Sequence, residues 1–234
     1  TYHLYYGDAG GTPGTILTFF PWDRMPGGRP GAGMMVSTAF AVSREALSYW
    51  VQRLNGAGIP VQKAFRFGEP VLEFKDPHGL AVELIGTENL PSISHWDESP
   101  VDRLHGIRGF HSATALQSRL AGTQALLTNS MGMVWHASEK DRYRFKMNGA
   151  SSAGQYLDVV VDRSASKGRL GTGTVHHIAF RAKTDREQMA WQAHLRQAGV
   201  NVTEVRDRNY FKSIYFHEPG GVLFEIATDS PGFA

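Results

Sequence analysis

The chain has 234 residues, of which 41% are hydrophobic and 20% are charged, a composition typical of a globular protein with a substantial core. A net charge of +2 without a clustered Lys/Arg run argues against nucleic-acid binding, and the apolar runs are shorter than the roughly 20 residues of a membrane span. The absence of cysteine excludes disulfides, thiolate metal ligands and thiol catalysis, which leaves ten histidines and 22 carboxylates for chemistry.

The first predicted element is a β-hairpin, with strands over residues 2–6 and 15–20 and a Gly/Pro turn over 10–14. The patterns that follow in chain order are a linker (23–34), a strand (37–42), a helix (43–58), a hairpin (71–83), a linker (87–106), a strand (109–114), a helical stretch ending near Gly132, strands (143–147 and 155–161), a Gly/Ser loop (164–173), a strand (177–182), a helix (184–199), a strand beginning at 200–202 and a hairpin (213–225). The helix that opens at Thr184 has Glu187 three residues later, which is a capping-box pattern.

Residues 71–83 match residues 213–225, which indicates an internal repeat. Phe, Pro, Gly and a final Glu coincide, and an acidic residue precedes each Pro. Each copy has the order strand, helix and three strands, so we predict an α+β protein of tandem βαβββ modules. The predicted limits are 1–22 for the closing half of module one, 35–88 for module two, 107–163 for module three and 172–230 for module four. By repeat arithmetic, about thirty residues of module one would precede Thr1.

Aligned positions of the repeat differ in the residues that carry chemistry. The first-strand positions hold Ser37, His111 and His177, and the last-strand positions hold Glu83, Asp158 and Glu225. Only module four combines a His with a Glu, whereas module three pairs a His with the shorter Asp. If the first and last strands of a module are adjacent, His177 and Glu225 share a concave face. With one further His they would form a 2-His-1-carboxylate site, which suits non-haem Fe(II).

Structural interpretations compete with this metal site. A lone His in a strand is more often a hydrogen-bonded core or rim residue, and Glu83, which has Ser37 opposite, is interpreted as structural. Glu225 is different because it ends an apolar run and is costly to bury without a cation or strong donors.

Other polar residues lie near module four's pair in the sequence. His176 would point to the opposite face from His177 in a regular strand. Arg208 could form a surface ion pair with Asp207 or Glu204, and a core aromatic is the competing interpretation of Tyr215.

Residues 171–180 and 207–228 resemble the vicinal oxygen chelate superfamily, which includes glyoxalases, bleomycin resistance proteins and dioxygenases. Within it they are similar to ring-cleaving dioxygenases that act on hydroquinones, as are residues 2–8, 13–22, 66–69 and 107–112. The resemblance implies the vicinal oxygen chelate fold, in which the modules form two curved mixed-sheet domains.

The resemblance also implies a site. Fe(II) would be held by His177, by Glu225 and by a His in a strand that precedes Thr1. His111 is the alternative third ligand, because its equivalent binds the metal in catechol-cleaving relatives, whereas His3 lies in a different strand and is a poor substitute. The residues that would bind and polarise the phenol are His176, Arg208 and Tyr215.

We therefore expect an Fe(II)-dependent, extradiol-type ring-cleaving dioxygenase with O₂ as co-substrate and a small dihydroxyaromatic substrate; Mn(II) is the alternative metal. Two other hypotheses stay open: a glyoxalase-type metal-dependent lyase or isomerase, and a non-catalytic aromatic-binding resistance protein. We expect a cytoplasmic protein without nucleic-acid or membrane partners, and association with further copies of the chain stays open.

Overall fold

The computed structural model describes residues 2–148 and 153–233. Its elements, in chain order, are β1 (Leu4–Tyr6), β2 (Leu17–Phe19), β3 (Met34–Val42), α1 (Ala46–Gly56), β4 (Gln62–Arg66), β5 (Glu69–Lys75), β6 (Ala81–Gly86), β7 (Phe110–Gln117), α2 (Ala121–Ala125) continued by a π-helical turn (Leu126–Ser130), β8 (Val134–Glu139), β9 (Arg142–Lys146), β10 (Tyr156–Val161), β11 (Ile178–Ala182), α3 (Asp185–Gln197), β12 (Arg206–Asp207), β13 (Lys212–His217) and β14 (Leu223–Thr228).

The strands form two mixed sheets and a separate hairpin. The larger sheet has the order β4-β5-β6-β3-β7-β10-β9-β8, the smaller has the order β11-β14-β13-β12, and β1 pairs with β2. In every βαβββ unit the first and last strands are parallel neighbours: β3 with β6, β7 with β10, and β11 with β14. The predicted α+β architecture of tandem βαβββ modules is confirmed, whereas the residue limits of the four modules stay a prediction.

The eight-stranded sheet curves until its two ends meet. The backbone N–H of Phe67, in the turn after β4, donates to Glu139 Oε1 at the end of β8 over 2.7 Å. The curvature encloses a concave interior, to which β5, β7, β9 and β10 contribute polar side chains.

The largest apolar core joins the two sheets. Its buried members come from both, together with α3 and the π-helical turn, and include Leu127, Phe145, Leu157, Leu195, Ile214 and Phe224. A buried carboxylate also connects the modules: Glu218, 2% exposed, accepts hydrogen bonds from Gln117 Nε2 at 2.8 Å and Thr123 Oγ1 at 2.6 Å.

The helix α3 begins as the capping pattern predicts. Thr184 accepts a hydrogen bond from the Glu187 N–H at 3.1 Å, and the Glu187 carboxylate accepts one from the Lys183 N–H at 2.7 Å. The helix ends before Gly199, whose φ of +80° is the left-handed conformation that glycine adopts without strain.

The first linker and the Gly/Ser loop pair with each other. Isolated bridges join Gly27 to Thr172, Arg29 to Arg169 and Ala32 to Lys167. The backbones approach so closely that a Cβ on Gly31 would lie 2.5 Å from the carbonyl oxygen of Ser166. This crossing attaches the connection between modules one and two to the connection between modules three and four.

Two sequence expectations differ from the structure. The strand β8 was missed, since most of its residues are exposed and show no alternating pattern. The strand expected from Val200 begins only at Arg206, because α3 side chains take the intervening carbonyl groups: Arg196 Nη2 donates to the Val202 oxygen at 3.1 Å and Gln192 Nε2 to the Thr203 oxygen at 2.6 Å. Within the part of the chain described, no helix is long and apolar enough to cross a membrane.

Candidate functional site

Glu225 is the centre of the candidate site on the four-stranded sheet. It is 3% exposed, and its Cα lies opposite Ala179 on β11 and opposite Tyr215 on β13. His177 is two residues before Ala179, and Ser213 is two residues before Tyr215. Because the parallel and antiparallel registers are both centred on Glu225, three neighbouring side chains reach its carboxylate.

The two carboxylate oxygens of Glu225 have different partners. Tyr215 donates its hydroxyl to Oε1 at 2.7 Å, and Ser213 donates its hydroxyl to the same oxygen. Oε2 lies 2.6 Å from His177 Nε2. A single cation, either a proton or a metal ion, satisfies both Nε2 and Oε2, while the two hydroxyls fix the carboxylate through its other oxygen.

His176 lies beside His177 and not on the opposite face as expected. Its Nδ1 is 2.8 Å from His177 Nδ1, and the two rings are nearly perpendicular. The alternation of a strand does not apply here, because β11 begins only at Ile178. The contact fixes the His177 ring through the nitrogen that faces away from Glu225, and a hydrogen bond at that nitrogen orients a metal-binding histidine.

Arg208 extends the same chain of contacts. A tight turn with Asn209 in the left-handed region, at φ +68°, places Arg208 Nε 3.2 Å from the Tyr215 hydroxyl. The ion pair with Glu204 that competed in the sequence interpretation does not form, since Glu204 binds Arg196 at 2.8 Å. Hydrogen bonds thus link all five predicted site residues in the order His176, His177, Glu225, Tyr215, Arg208.

The surroundings shift the pKa values of three residues in this series of hydrogen bonds. Burial alone would raise the pKa of Glu225, but the hydrogen bond and charge of His177, together with Ser213 and Tyr215, outweigh it and lower that pKa. Burial and then the Glu225 charge raise the pKa of Tyr215 to about 12. Burial lowers the pKa of His176, and His177 lowers it further. The site therefore favours an ionised Glu225, a protonated Tyr215 hydroxyl and a neutral His176.

An aromatic group from the β1–β2 hairpin flanks the histidines. The Phe20 ring is 5.7 Å from the His176 ring and 6.1 Å from the His177 ring, and it stacks on Trp22 at 5.2 Å. The ring of His3 also lies against Phe20, at 4.7 Å. Sequence reasoning did not place Phe20 or Trp22 at the site and considered His3 only as a poor substitute ligand, because the hairpin is far from module four in the chain. Ser213 could have been found, since alternation puts it on the same face as Tyr215.

His111, the alternative third ligand, belongs to a different cluster. Its Nε2 contacts Glu69 Oε2 at 3.2 Å in the interior of the eight-stranded sheet. Asp158, expected to pair with it, instead binds Arg144 at 2.8 Å and Arg142 at 3.1 Å. The expectation fails because Asp158 lies opposite Thr114, so that Ser112 and not His111 holds the position equivalent to His177, and arginines of β9 bind the carboxylate.

The three aligned carboxylates are all buried, but their cations differ. Glu83 accepts a hydrogen bond from Arg66 at 3.2 Å, in keeping with its structural interpretation, and Asp158 has two arginines. In the described parts of the chain, Glu225 has no arginine or lysine within ion-pair distance, only His177 and two hydroxyls. An imidazole nitrogen facing a carboxylate oxygen is a donor set that fits a divalent transition metal. Residues 2–148 and 153–233 contain no group of three or more His, Asp or Glu that could hold a metal ion.

The chain is similar to known proteins of one superfamily. Residues 118–226 match the Glyoxalase/Bleomycin resistance protein/Dioxygenase superfamily. The chain is 44% identical to "Putative ring-cleaving dioxygenase MhqO" of Bacillus subtilis over 100% of its own length and 74% of that protein. It is 33% identical to chlorohydroquinone/hydroquinone 1,2-dioxygenase of Sphingobium indicum, over 97% of the chain and 72% of the relative.

A solved structure matches across the whole chain. The crystal structure of a B. subtilis protein described as a "putative dioxygenase" has a TM-score of 0.94 at 43% identity, covering 100% of this chain and 74% of the other. This likeness confirms the fold, and the identities over 97–100% of this chain confirm the group of enzymes. The chain belongs to the Glyoxalase/Bleomycin resistance protein/Dioxygenase superfamily and, within it, to the ring-cleaving dioxygenases.

Proposed function

We propose that the protein binds Fe(II) through His177 and Glu225 and performs extradiol-type cleavage of a hydroquinone or related dihydroxyaromatic. The observation that carries the proposal is the 2.6 Å approach of His177 Nε2 to a buried carboxylate oxygen that has no arginine or lysine partner in the described residues. A relative named for chlorohydroquinone and hydroquinone supports the substrate class. Bound Fe(II) supplies open coordination positions and one-electron chemistry.

The residues around Glu225 have separate roles in this proposal. Ser213 and Tyr215 hold the Glu225 carboxylate through Oε1, so that Oε2 stays directed at His177. His176 fixes the His177 ring through Nδ1. These contacts orient both ligand side chains before any metal binds.

Substrate binding and proton transfer are assigned to the residues at the two ends of this series of hydrogen bonds, Arg208 and His176. Arg208 carries a permanent charge next to the Tyr215 hydroxyl and would stabilise a phenolate oxygen bound there. Tyr215, with its pKa raised to about 12, keeps its proton at neutral pH and donates it to Glu225 Oε1, so the hydrogen bonds to a bound phenolate oxygen would come from Arg208. His176, whose lowered pKa leaves it neutral, would accept a substrate hydroxyl proton and return it to the ring-opened product.

The overall reaction balances without an added reductant. The dihydroxyaromatic supplies four electrons, one C–C bond of the ring breaks, and both atoms of O₂ enter the product. The product is a ring-opened acid with a second carbonyl group, and it keeps all the hydrogen atoms of the substrate.

Metal binding tests the ligand assignment independently of turnover. Fe(II) at one hundred times its dissociation constant stabilises a folded protein by about 2.7 kcal/mol, which for this chain length raises Tm by about 5–10 °C. We expect that increase in wild type under anaerobic conditions and its loss in Glu225→Gln. Glu83→Gln is the matched control, because Glu83 holds the aligned position in module two and should leave the increase intact.

Oxygen uptake tests the reaction. Fe(II)-loaded wild type should consume O₂ with a hydroquinone, and Glu225→Gln should lose about 100-fold or more of that rate. Absence of O₂ uptake over a panel of hydroquinones and catechols contradicts the proposal. Turnover with nickel or zinc and without O₂ consumption would instead indicate the lyase or isomerase hypothesis.

A further inference from the structure

Phe20 contacts both site histidines and the aromatic residues of the β1–β2 hairpin. Its ring lies 5.7 Å from His176 and 6.1 Å from His177. It also lies 4.7 Å from His3 and 5.2 Å from Trp22, and Trp22 itself lies 5.9 Å from His176. No other described aromatic ring is in contact with both site histidines and also belongs to the hairpin.

The surroundings of Phe20 make its ring a fixed surface. Trp22 stacks on it with an interplanar angle of 16°, and His3 meets it edge-on at 84°. His3 is itself held by a hydrogen bond between its Nδ1 and the Tyr5 hydroxyl at 3.1 Å. Phe20 is only half-buried, so part of its ring stays available to a ligand.

The site therefore has two sides of different chemistry. Arg208 and the Tyr215 hydroxyl form a polar side that fits oxygen atoms. Phe20 and Trp22 form an apolar aromatic side, and the His177–Glu225 pair lies in contact with both through the His177 ring. A flat ring carrying hydroxyl groups at its edge matches this division, whereas an aliphatic diol offers no face to the aromatic side.

We propose that Phe20 is a specificity-determining residue that packs against the ring of the bound dihydroxyaromatic, with Trp22 and His3 fixing its orientation. The inference rests on the proposed function for the identity of the ligand. An aromatic pair contributes beyond its buried area by an amount that corresponds to about a 2- to 12-fold change in affinity.

Replacing Phe20 by leucine removes the ring and keeps most of the apolar volume. We expect the KM for hydroquinone and the Kd for hydroquinone measured anaerobically by calorimetry to rise by about 2- to 12-fold. The kcat should stay within about twofold, because leucine keeps an apolar contact with the two histidines and Phe20 makes none of the hydrogen bonds around Glu225. Phe20→Tyr, which keeps the ring, should restore both constants.

Phe19 provides the matched control. It precedes Phe20 but points away from the site, is 37% exposed, and contacts Tyr6 at 5.6 Å. Phe19→Leu should leave KM, Kd and iron content at wild-type values. A merely structural role of Phe20 would lower iron content and kcat and leave the anaerobic Kd of the remaining loaded protein unchanged.

The outcomes separate this inference from the proposed function. Wild-type constants in Phe20→Leu, equal effects in Phe19→Leu, or no measurable binding of hydroquinone to wild type would each overturn the role of Phe20. A wild type that binds hydroquinone in a Phe20-dependent manner but consumes no O₂ overturns the proposed reaction and supports the role of Phe20.

Discussion

Replacing Arg144 by methionine tests whether buried ion pairs stabilise the interior of the eight-stranded sheet. Arg144 is 3% exposed, and its Nε and Nη2 donate to Asp158 at 2.8 and 3.0 Å while Nη1 donates to Glu69 at 3.3 Å. Its guanidinium carbon also lies 4.2 Å from the Phe67 ring centre and 4.8 Å from that of Tyr156. Because methionine keeps most of the apolar stem, the main loss is the charge.

The expected loss of stability depends on the charged partners that Asp158 and Glu69 keep after the substitution. Breaking a buried ion pair by removing one member costs about 3–5 kcal/mol, since the other charge stays buried. Arg142 still contacts Asp158 at 3.1 Å, and His111 still contacts Glu69 at 3.2 Å. We therefore expect the lower end, about 3 kcal/mol, which for a chain of 234 residues lowers Tm by about 6–12 °C.

Thermal unfolding followed by circular dichroism measures this loss. Arg142→Met is the control, because its side chain is more exposed, at 18% against 3%, and contributes one bond to Asp158. Arg142→Met should lower Tm clearly less than Arg144→Met does. In the double variant Arg144→Met/Asp158→Asn the losses should be less than additive. A Tm change in Arg144→Met of less than about 2 °C, or an increase, would refute the reasoning.

Three further predictions concern the site, the linker crossing and pH. Tyr215→Phe removes the hydroxyl that holds Glu225, and O₂ uptake should fall by about 10- to 100-fold. Gly31→Ala should lower the free energy of unfolding in urea by about 1–3 kcal/mol, because its Cβ would meet facing backbone, whereas Gly27→Ala, with nothing within 4 Å, should not. Burial alone would raise the pKa of Glu69, but His111 and Arg144 outweigh it and keep that pKa below its ordinary value of 4.5. The resulting stability is present above pH 4.5 and lost as pH falls through the folded pKa, so urea unfolding of Glu69→Gln should show a shallower acid loss than wild type.

The repeat made the centre of the site predictable from sequence. In a βαβββ unit the first and last strands are parallel neighbours. Aligning module four with module two is therefore sufficient to predict that His177 lies beside Glu225. Tyr215 follows from the hairpin, since the turn around Pro219 sets it directly opposite Glu225. These contacts lie within one module and are fixed by local connections.

Contacts between modules, and those in irregular segments, were not predictable in this way. His176 precedes the strand, so alternation gave the wrong side for its ring. The His111–Glu69 contact joins modules three and two, and it depends on the antiparallel pairing of β3 with β7. Phe20 reaches His177 only through the position of the β1–β2 hairpin relative to module four, for which the sequence holds no local signal.

The same fold thus places a buried carboxylate at equivalent positions of three modules, but with two different kinds of partner. In modules two and three the carboxylate is neutralised by arginine: Asp158 by Arg144, which lies opposite it on the neighbouring strand β9, and Glu83 by Arg66 of β4, one strand further away. In module four the residue opposite Glu225 on the neighbouring strand is Tyr215, a neutral donor that orients the carboxylate without neutralising it. Module three has the Arg144 guanidinium at the position where module four has the Tyr215 hydroxyl. Since an ionised carboxylate is costly to bury without a cation, Glu225 requires a positive charge, which His177 supplies in part and a divalent metal would supply in full. The cation that reaches the carboxylate, and not the carboxylate itself, distinguishes the candidate metal site from its structural counterparts.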